Sequence, residues 1–260
     1  MHSHRQAAAD IGRRWCRDSA GARMGRAGAR TSGTSRDDPG LIYPNVEIGE
    51  GTVVHEGAIV GEPPRGATAG ELETKIGAGG VIRSGTVIYA GTHIGANFNS
   101  GHGALIREDN VIGDDCSVGT HAVLEAGNRV GNGTRIHSGC FLEHTTLGDR
   151  VFLAPNVVFT DDPHPVCPRY LECVLGATVE DDVSIGANAT ILPGLRIGAG
   201  SLIGAGSVVT KNVEAGSVMA GSPATRIKGV EQLVCFKGFY ERPYVWRTKG
   251  ASGGKTPTAR

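Results

Sequence analysis

Aliphatic residues recur at every sixth position through the middle of the chain. From Ile76 to Leu142, eleven of the twelve sixth positions are aliphatic, and the remaining one is Ser100. Neither the 3.6-residue period of a helix nor the two-residue alternation of a strand produces this spacing over such a length. Small or β-branched residues, such as Thr86 and Cys116, follow most of these positions four residues later. Period-six repeats are typical of parallel β-helices.

A second period of 18 residues is superimposed on the first. Glycine directly follows the aliphatic residue at every third position, namely Gly77, Gly95, Gly113 and Gly131. We therefore predict triangular coils of about 18 residues, each made of three short strands with the aliphatic side chains inside. Successive coils should stack about 4.8 Å apart, the spacing of paired strands. The predicted fold class is all-β, with a parallel β-helix over residues 41–228.

Two insertions interrupt the repeat. The first covers residues 62–75 and contains Pro63 and Pro64, which exclude a continuing ladder strand. The second covers residues 161–177 and is rich in proline and in chemically active side chains. Loops that leave a rigid scaffold often carry function. A solvated surface loop is the alternative for the first insertion.

The two ends of the chain lack the repeat. Residues 1–40 are rich in arginine without apolar periodicity, so we predict a disordered leader. A transit peptide, a nucleic-acid-binding arm, or an over-long start with Met24 as initiator are the alternatives. Residues 229–260 should form a C-terminal extension, a short helix or extended segment that covers the open sheet edge, followed by a disordered tail.

Counting in steps of 18 assigns the polar residues to faces. The face that follows the glycines carries none of the candidate functional side chains. A second face gathers polar residues with three histidines, and histidine is the usual general base near neutral pH: Arg83, Ser84, His102, Thr120, His121, His137 and Ser138. A third face stacks Tyr89, Arg107, Glu125 and Glu143, which we interpret as an exposed ladder of alternating charge.

Composition narrows the class of protein. The formal net charge is zero, which gives no electrostatic reason to expect nucleic acid or an anionic membrane as partner. No apolar run approaches the roughly 18 residues of a membrane span. The six cysteines do not form the pattern of a small secreted disulfide scaffold. We therefore expect a cytoplasmic protein with neither nucleic acid nor a membrane as partner; a small-molecule acceptor is what the resemblance below implies.

The repeat resembles that of the hexapeptide-repeat acyltransferases from about residue 43 to residue 228. The resemblance implies that the β-helix is left-handed and that the protein is a homotrimer with active sites between subunits. The ending "IGAGSVVTKNV…AGSPATRIK" resembles the acyl-CoA-binding end of that family. It implies acetyl-CoA as acyl donor, with backbone contacts from Gly204, Ala205 and Ser207, and phosphate contacts from Lys211, Arg226 and Lys228.

The acceptor is indicated by a narrower resemblance. The segments "FNSGHGALIREDNVIGDDCSVG" and "VFLAPNVVFTDDPHP" are similar to the branch that N-acetylates nucleotide-linked amino sugars. That branch commonly has Asn where this chain has Asp161. We predict acceptor contacts from Asp161, Arg83, His137 and Glu143, and an N-acetyltransferase acting on an amino sugar. An O-acetyltransferase of a sugar or xenobiotic hydroxyl is the runner-up.

Three histidines compete for the role of general base. His102 stands two residues after its core position, a slot that holds catalytic histidines in several branches of the family. His164 lies on a loop before the last coils, as in the sugar and antibiotic O-acetyltransferases. His144 in "LEHTTLG" faintly resembles the "EHD" motif of bacterial amino-sugar acetyltransferases. We predict His102 and His164 as the catalytic candidates, with His144 or no side-chain base as alternatives.

The same residues are compatible with other functions. His164, Cys167 and Cys173 have the softness of zinc ligands but poor number and spacing for a structural site, so no metal is predicted. A carbonic-anhydrase-like protein would need three converging histidines, and the spacing of His102, His121 and His137 does not match that pattern. A non-enzymatic scaffold or a nucleotide-sugar regulatory module is a further alternative.

Overall fold

A computed structural model describes residues 40–245, and the leader and the tail predicted to be disordered lie outside that range. Within it, short strands form three parallel sheets that wind around one core. This is the predicted left-handed parallel β-helix. Strands are numbered in chain order, and each pairs with the strand one coil further on.

Each sheet takes one strand from every coil. Sheet A contains β1 (Leu41–Ile42), β4 (Ile59–Glu62), β7 (Val87–Tyr89), β10 (Leu105–Ile106), β13 (Val123–Leu124), β16 (Phe141–Leu142), β19 (Val158–Phe159), β22 (Thr190–Ile191) and β25 (Val208–Val209). Sheet B contains β2 (Val46–Ile48), β5 (Thr74–Ile76), β8 (His93–Ile94), β11 (Val111–Ile112), β14 (Arg129–Val130), β17 (Thr146–Leu147), β20 (Thr178–Val179) and β23 (Arg196–Ile197). Sheet C contains β3 (Val53–Val54), β6 (Val81–Ile82), β9 (Asn99–Ser100), β12 (Ser117–Val118), β15 (Arg135–Ile136), β18 (Phe152–Leu153), β21 (Ser184–Ile185), β24 (Leu202–Ile203), β26 (Ser217–Gly221) and β27 (Ala224–Gly229).

The sixth-position residues form the core, as predicted. All twelve positions from Ile76 to Leu142 are at most 5% exposed, including Ser100 at 1%. The small residues four positions later are buried beside them, and Phe98, Asn110 and Asn128 occupy the same kind of position. The repeat therefore supplies one inward aliphatic residue and one inward corner residue for each side of each coil.

Removing one of these side chains should leave a cavity that the rigid coil cannot close. Leu124 is completely buried, so Leu124→Ala is expected to lower the free energy of unfolding by about 2–5 kcal/mol. Val111, on a strand of sheet B, is 42% exposed, and Val111→Ala should cost less than about 0.5 kcal/mol. Denaturant titration of both variants against the wild-type protein measures the difference.

Both insertions leave the helix at the same corner. We call the turns that join sheet A to sheet B the A–B corner; in successive coils they include residues 107–110, 125–128 and 143–145. The first insertion occupies this corner as residues 63–73, and the second as residues 160–177. The second carries one helical turn, α1 (Tyr170–Cys173). The turns that join sheet C to sheet A form the C–A corner.

The C-terminal end departs from the parallel winding. Strand β26 pairs in parallel with β24, but β27 turns back and pairs with β26 in antiparallel orientation, so β27 is the last strand of sheet C. A 3-10 helix follows at Val230–Gln232. Irregular chain then continues to Val245, and residues 242–245 line a cavity of about 360 Å³ together with Gly200 and Gly216.

Candidate functional site at the A–B corner

Two adjacent coils bring a histidine and two carboxyl groups together at the A–B corner. Leu142 points into the core at the end of β16, so Glu143 and His144 begin the turn outside it. One coil further on, Phe159 is the equivalent core residue, and Asp161 begins the second insertion just beyond it. The strand pairing of β16 with β19 therefore places these three side chains on neighbouring rungs.

A buried polar ladder fixes the turn that carries His144. Asn128 lies inside the corner of the preceding coil, and its side-chain oxygen accepts a 2.8 Å hydrogen bond from the backbone N–H of Thr145. The Thr145 hydroxyl donates to the backbone oxygen of Glu143 at 2.9 Å. Asn110 repeats the arrangement one coil below, where its Oδ1 accepts from the backbone N–H of Asn128 at 3.1 Å. These bonds satisfy buried polar groups and hold the turn.

His144 and Asp161 form a hydrogen-bonded pair. Nδ1 of His144 lies 2.5 Å from Oδ2 of Asp161. The Asp161 side chain is 11% exposed, whereas that of His144 is 49% exposed, so the carboxylate is held inside while the ring reaches solvent. A carboxylate that accepts from Nδ1–H orients the ring and leaves Nε2 free to take a proton. His144 has a backbone φ of +44°, an uncommon conformation for a residue with a side chain.

The second insertion closes directly over His144. Its first and last parts meet where the N–H of Leu175 donates to the backbone oxygen of Asp161 at 2.8 Å. Gly176 then passes the His144 backbone so closely that an added Cβ would lie 1.6 Å from the His144 oxygen. The base of the loop is therefore part of the site.

Glu143 adds a second carboxyl group to the pair. Burial, the negative charge of Asp161 and a hydrogen bond with Asp161 raise the pKa of Glu143 to about 7, and the charge of Glu125 adds to the effect. Glu125, one coil below Glu143, is bound at 2.7 Å by Arg107 of the next coil down, which also lies over the Tyr89 ring, 5.9 Å from its centroid. The ladder expected on the third face thus contains an ion pair between Arg107 and Glu125.

The other predicted histidines lie elsewhere. Nδ1 of His102 is 2.8 Å from the hydroxyl of Ser84 at the C–A corner, a different corner of the prism from His144. His137 lies at the same corner as His102, against the Phe152 ring with a centroid distance of 4.8 Å. His164 lies in the second insertion, three residues after Asp161. It is exposed, and its backbone N–H donates to the Asp162 carboxylate.

The predicted acceptor contacts therefore divide between two corners. Glu143 and Asp161 come together with His144 at the A–B corner. Arg83 lies at the C–A corner, where its Nη1 donates to the Ser100 backbone oxygen at 2.9 Å. The pairing of His144 with Asp161 was not predicted. Counting rungs would have indicated it, because Leu142 and Phe159 are core residues of sheet A one coil apart.

The residues predicted to bind acyl-CoA lie in the last coils. Gly204, Ala205 and Ser207 form a turn of the C–A corner. The amide of Gly204 donates to the Met219 oxygen, and the Ser207 side chain is buried, so Ala205 is the exposed member of the set. The backbone of this turn, and not the Ser207 hydroxyl, is what a ligand could reach.

The three basic residues differ in their surroundings. Lys211 is exposed, and Nε of Arg226 donates to the Ser217 hydroxyl at 3.3 Å. A register shift in the β26–β27 hairpin sets Arg226 opposite Met219 and Lys228 opposite Val218. Val218 and Met219 are successive residues of β26, so their side chains point to opposite faces of the hairpin. Arg226 lies on the same face as Met219, and Lys228 lies on the same face as Val218. The two cations are therefore not a single cluster on one face.

Residues 40–245 contain neither a cluster of metal-ligating side chains nor a helix that could span a membrane. No three or more His, Cys, Asp and Glu side chains there are arranged to hold a metal ion. None of the helices in that part of the chain has the length and apolar character needed to cross a membrane.

Comparison with known proteins identifies the repeat. Residues 176–211 match the family model described as bacterial transferase hexapeptide (six repeats). A protein of Schizosaccharomyces pombe named for acetyltransferase activity is 40% identical over 90 residues, which cover 33% of this chain and 44% of that protein. The 2,3,4,5-tetrahydropyridine-2,6-dicarboxylate N-acetyltransferase of Clostridium perfringens is 59% identical over 54 residues, covering 21% of this chain and 23% of the relative.

The fold has a counterpart among solved structures. The UDP-N-acetylglucosamine acyltransferase from Campylobacter jejuni matches with a TM-score of 0.60 and 20% identity, over 73% of this chain and 72% of that chain. At this identity the likeness establishes the fold. The chain spans less than half the length of the two sequence relatives. The resemblance to the hexapeptide-repeat acyltransferases inferred from the sequence is confirmed.

Proposed function

We propose that this chain, a hexapeptide-repeat protein with the fold of the acyltransferases, transfers an acetyl group from acetyl-CoA to an amine. The favoured acceptor is the amino group of a sugar, with nucleotide-linked amino sugars as the class to test first. The observation that carries the proposal is the His144–Asp161 pair with Glu143 beside it. The names of the sequence relatives, both acetyltransferases, support the type of reaction.

Acetyl transfer from a thioester to an amine requires that the two substrates are held in line and that one base accepts a proton. The acceptor nitrogen attacks the thioester carbonyl, a C–N bond forms, and the C–S bond breaks as coenzyme A leaves as a thiol. The nitrogen must lose a proton in this sequence, and Nε2 of His144 is the group proposed to take it and to pass it to the departing thiolate. Asp161, held on Nδ1, stabilises the imidazolium that results. Much of the remaining rate enhancement comes from holding the two substrates in line.

The carboxyl groups favour an amine over a hydroxyl acceptor. Asp161 is bonded to His144, Glu143 precedes His144 on the neighbouring coil, and Glu125 lies one coil below Glu143. An ammonium group gains from such surroundings, whereas a neutral hydroxyl does not. O-acetylation stays the runner-up because the same histidine could deprotonate a hydroxyl.

The proposal also includes two alternative bases and the predicted contacts with acetyl-CoA. His102 and His164 are the alternative bases: the His102 ring contacts the Ser84 hydroxyl, whereas His164 donates its backbone N–H to the Asp162 carboxylate. Acetyl-CoA would lie against the exposed turn at Ala205, and Lys211 and Arg226 could reach its phosphates. Lys228, on the other face of the hairpin, fits this role less well.

A homotrimer is part of the same proposal. The second insertion exposes large apolar side chains in the isolated chain, with Val166 at 99%, Leu171 at 74% and Leu175 at 60%. Exposed apolar surface is typical of interfaces between proteins where it forms a patch. Light scattering coupled to gel filtration would measure the mass of the particle.

A cytoplasmic location also belongs to this proposal. The described cysteines, Cys116, Cys140, Cys167, Cys173 and Cys235, are all free thiols, as expected in a reducing compartment.

A panel assay tests the function. Thiol release from acetyl-CoA should occur with nucleotide-linked amino sugars and be absent with the matched neutral sugars, with simple amines as a further control. Turnover of hydroxyl acceptors would indicate that the protein is an O-acetyltransferase instead. If no acceptor reacts while acetyl-CoA still raises the melting temperature, the donor is right and the acceptor class is wrong.

A further inference from the structure

The imidazole of His144 turns one edge toward the coil below it. Nδ1 is bonded to Asp161 of the coil above, and Gly176 of the second insertion passes against the His144 backbone. On the other side, a Cβ added to Gly127 of the coil below would lie 3.1 Å from Cδ2 and 3.5 Å from Nε2 of the ring. The nitrogen that does not bond Asp161 therefore faces Gly127, away from the second insertion.

The fold alone does not impose this orientation of the ring. His121 occupies a similar left-handed turn at the C–A corner, and its ring also lies over a glycine of the coil below, Gly103. There the ring atoms nearest to an added Cβ are Cε1 and Nδ1, each at 2.6 Å. His121 thus turns the opposite edge of its ring downward. The hydrogen bond between Nδ1 and Asp161 accounts for the reversed edge of His144.

Gly127 leaves a gap beneath this edge. Side chains at this turn position fold back over the coil below, since Oδ1 of Asp109, one coil below Gly127, is 3.6 Å from a Cβ added to Gly91. Gly127 has no side chain that could cover the Asp109 turn in the same way. Within residues 40–245, and apart from its own chain neighbours, only the two ring atoms of His144 lie within 4 Å of its added Cβ. We call this gap, about 4.8 Å or one strand spacing high, the Gly127 notch.

Arg129 borders the notch as a hydrogen-bond donor. Its Nη1 donates to the backbone oxygens of Asp109 at 2.5 Å and of Asn128 at 3.1 Å, so the guanidinium is fixed beside both turns. Within residues 40–245, these are the hydrogen bonds of its side chain, and the residue is exposed. A guanidinium has five N–H donors, so Nε and Nη2 remain for the oxygen atoms of a ligand.

We propose that the Gly127 notch binds the amine-bearing ring of the acceptor, with its nitrogen at Nε2 of His144 and a hydroxyl or phosphate oxygen on Arg129. The chemistry at Nε2 rests on the proposed function, whereas the open approach to Nε2 across Gly127 does not. The acceptor class that this site recognises is an amine with an oxygen substituent a few bonds away, as in an amino sugar. A simple alkyl amine lacks the oxygen that Arg129 binds.

Chemical modification tests the approach across Gly127 without any acceptor. Diethyl pyrocarbonate acylates accessible imidazole nitrogens, and mass spectrometry of the peptide that contains His144 measures the rate. Gly127→Asn fills the notch, and Asp109 shows that this turn position accepts such a residue at a φ of +56°. The rate at His144 should fall at least threefold while the rate at His121 is unchanged. A rate at His144 equal to or above that of the wild type would overturn the proposal.

Gly91→Asn is the matched control for this substitution. Gly91 occupies the same turn position two coils below Gly127, with φ of +86° against +82°, so both variants carry the same kind of backbone strain. A Cβ at Gly91 meets ordinary contacts of 3.5 Å and longer, none of them with a histidine. Its His144 should react at the wild-type rate. Equal slowing in the two variants would mean that the effect is a general loss of structure, and the proposal would fail.

Arg129→Gln tests the oxygen contact separately. With a nucleotide-linked amino sugar, the KM for the acceptor should rise at least fivefold, while kcat stays within twofold and the KM for acetyl-CoA is unchanged. Arg135→Gln, which removes an exposed arginine from sheet C, should leave all three at wild-type values. An unchanged acceptor KM in Arg129→Gln, or an equal rise in Arg135→Gln, would overturn the contact. If no acceptor reacts with the wild-type protein, the proposed acceptor class is wrong, and the modification rates still decide whether Nε2 is reached across Gly127.

Discussion

His144→Asn is expected to reduce kcat for acetyl transfer by roughly 10²- to 10⁴-fold, the usual contribution of a general base. The asparagine amide can still donate to Asp161, so the buried carboxylate keeps a partner, but it cannot accept the proton of the acceptor nitrogen. The melting-temperature shift caused by acetyl-CoA should be unchanged. Thiol release under saturating acetyl-CoA measures the first effect and thermal denaturation the second.

His121→Asn provides the matched control for this substitution. His121 occupies a turn with φ of +54°, and other turns hold Asn97 and Asn156 at +57° and +59°, so asparagine suits the backbone. Its activity should stay within about twofold of the wild type. His102→Asn and His164→Asn test the alternative bases. A large loss in either of them with full activity in His144→Asn would contradict the assignment.

Gly176→Ala is expected to have the second large effect, on both activity and stability. The added methyl carbon would lie 1.6 Å from the His144 oxygen and 2.4 Å from its carbonyl carbon, so the backbone must move. Displacement of the turn separates His144 from Asp161, and kcat should fall at least tenfold while the free energy of unfolding drops by about 1–3 kcal/mol.

Gly200→Asn controls for the loss of a glycine. Gly200 has φ of +68° and nothing within 4 Å of an added Cβ. Asp182 lies at the equivalent turn one coil earlier with φ of +60°, so an asparagine fits this conformation. Its activity and melting temperature should match the wild type. Full activity in Gly176→Ala would mean that the loop base does not hold His144.

The core of this fold was predictable residue by residue because its geometry repeats. Each coil repeats the requirement for an inward side chain every six residues, and Ile76 to Leu142 meet it without a break. Even Ser100, the exception to the pattern, is buried, and its hydroxyl accepts from the Arg83 backbone N–H at 2.8 Å. The positions of both insertions also followed from where the spacing fails.

The pairing within the site was harder to predict. Asp161 and His144 are 17 residues apart, in a stretch where one residue is missing from the count, so the 18-residue period does not align them. That period does place His102, His121 and His137 on one face, and so it favours them over His144 as candidate bases. Counting from the core residues Leu142 and Phe159, and not in fixed steps of 18, aligns the two, since each lies two residues after its core residue.

The C-terminal end shows another limit of a repeat pattern. The spacing of aliphatic residues ends before Ala224, and nothing in it predicts that β27 would reverse direction against β26. The reversal and its register shift decide which face each basic residue occupies, so Arg226 and Lys228 could not be distinguished from sequence.

Transfer of a deuterated acetyl group is the most direct test of the central claim. The protein would be incubated with acetyl-CoA labelled in the acetyl methyl group and with a nucleotide-linked amino sugar, and the sugar analysed by mass spectrometry. The account predicts a labelled amide on the sugar nitrogen with the wild-type protein and little or none with His144→Asn. A label on a hydroxyl group, or equal labelling by both proteins, would contradict it.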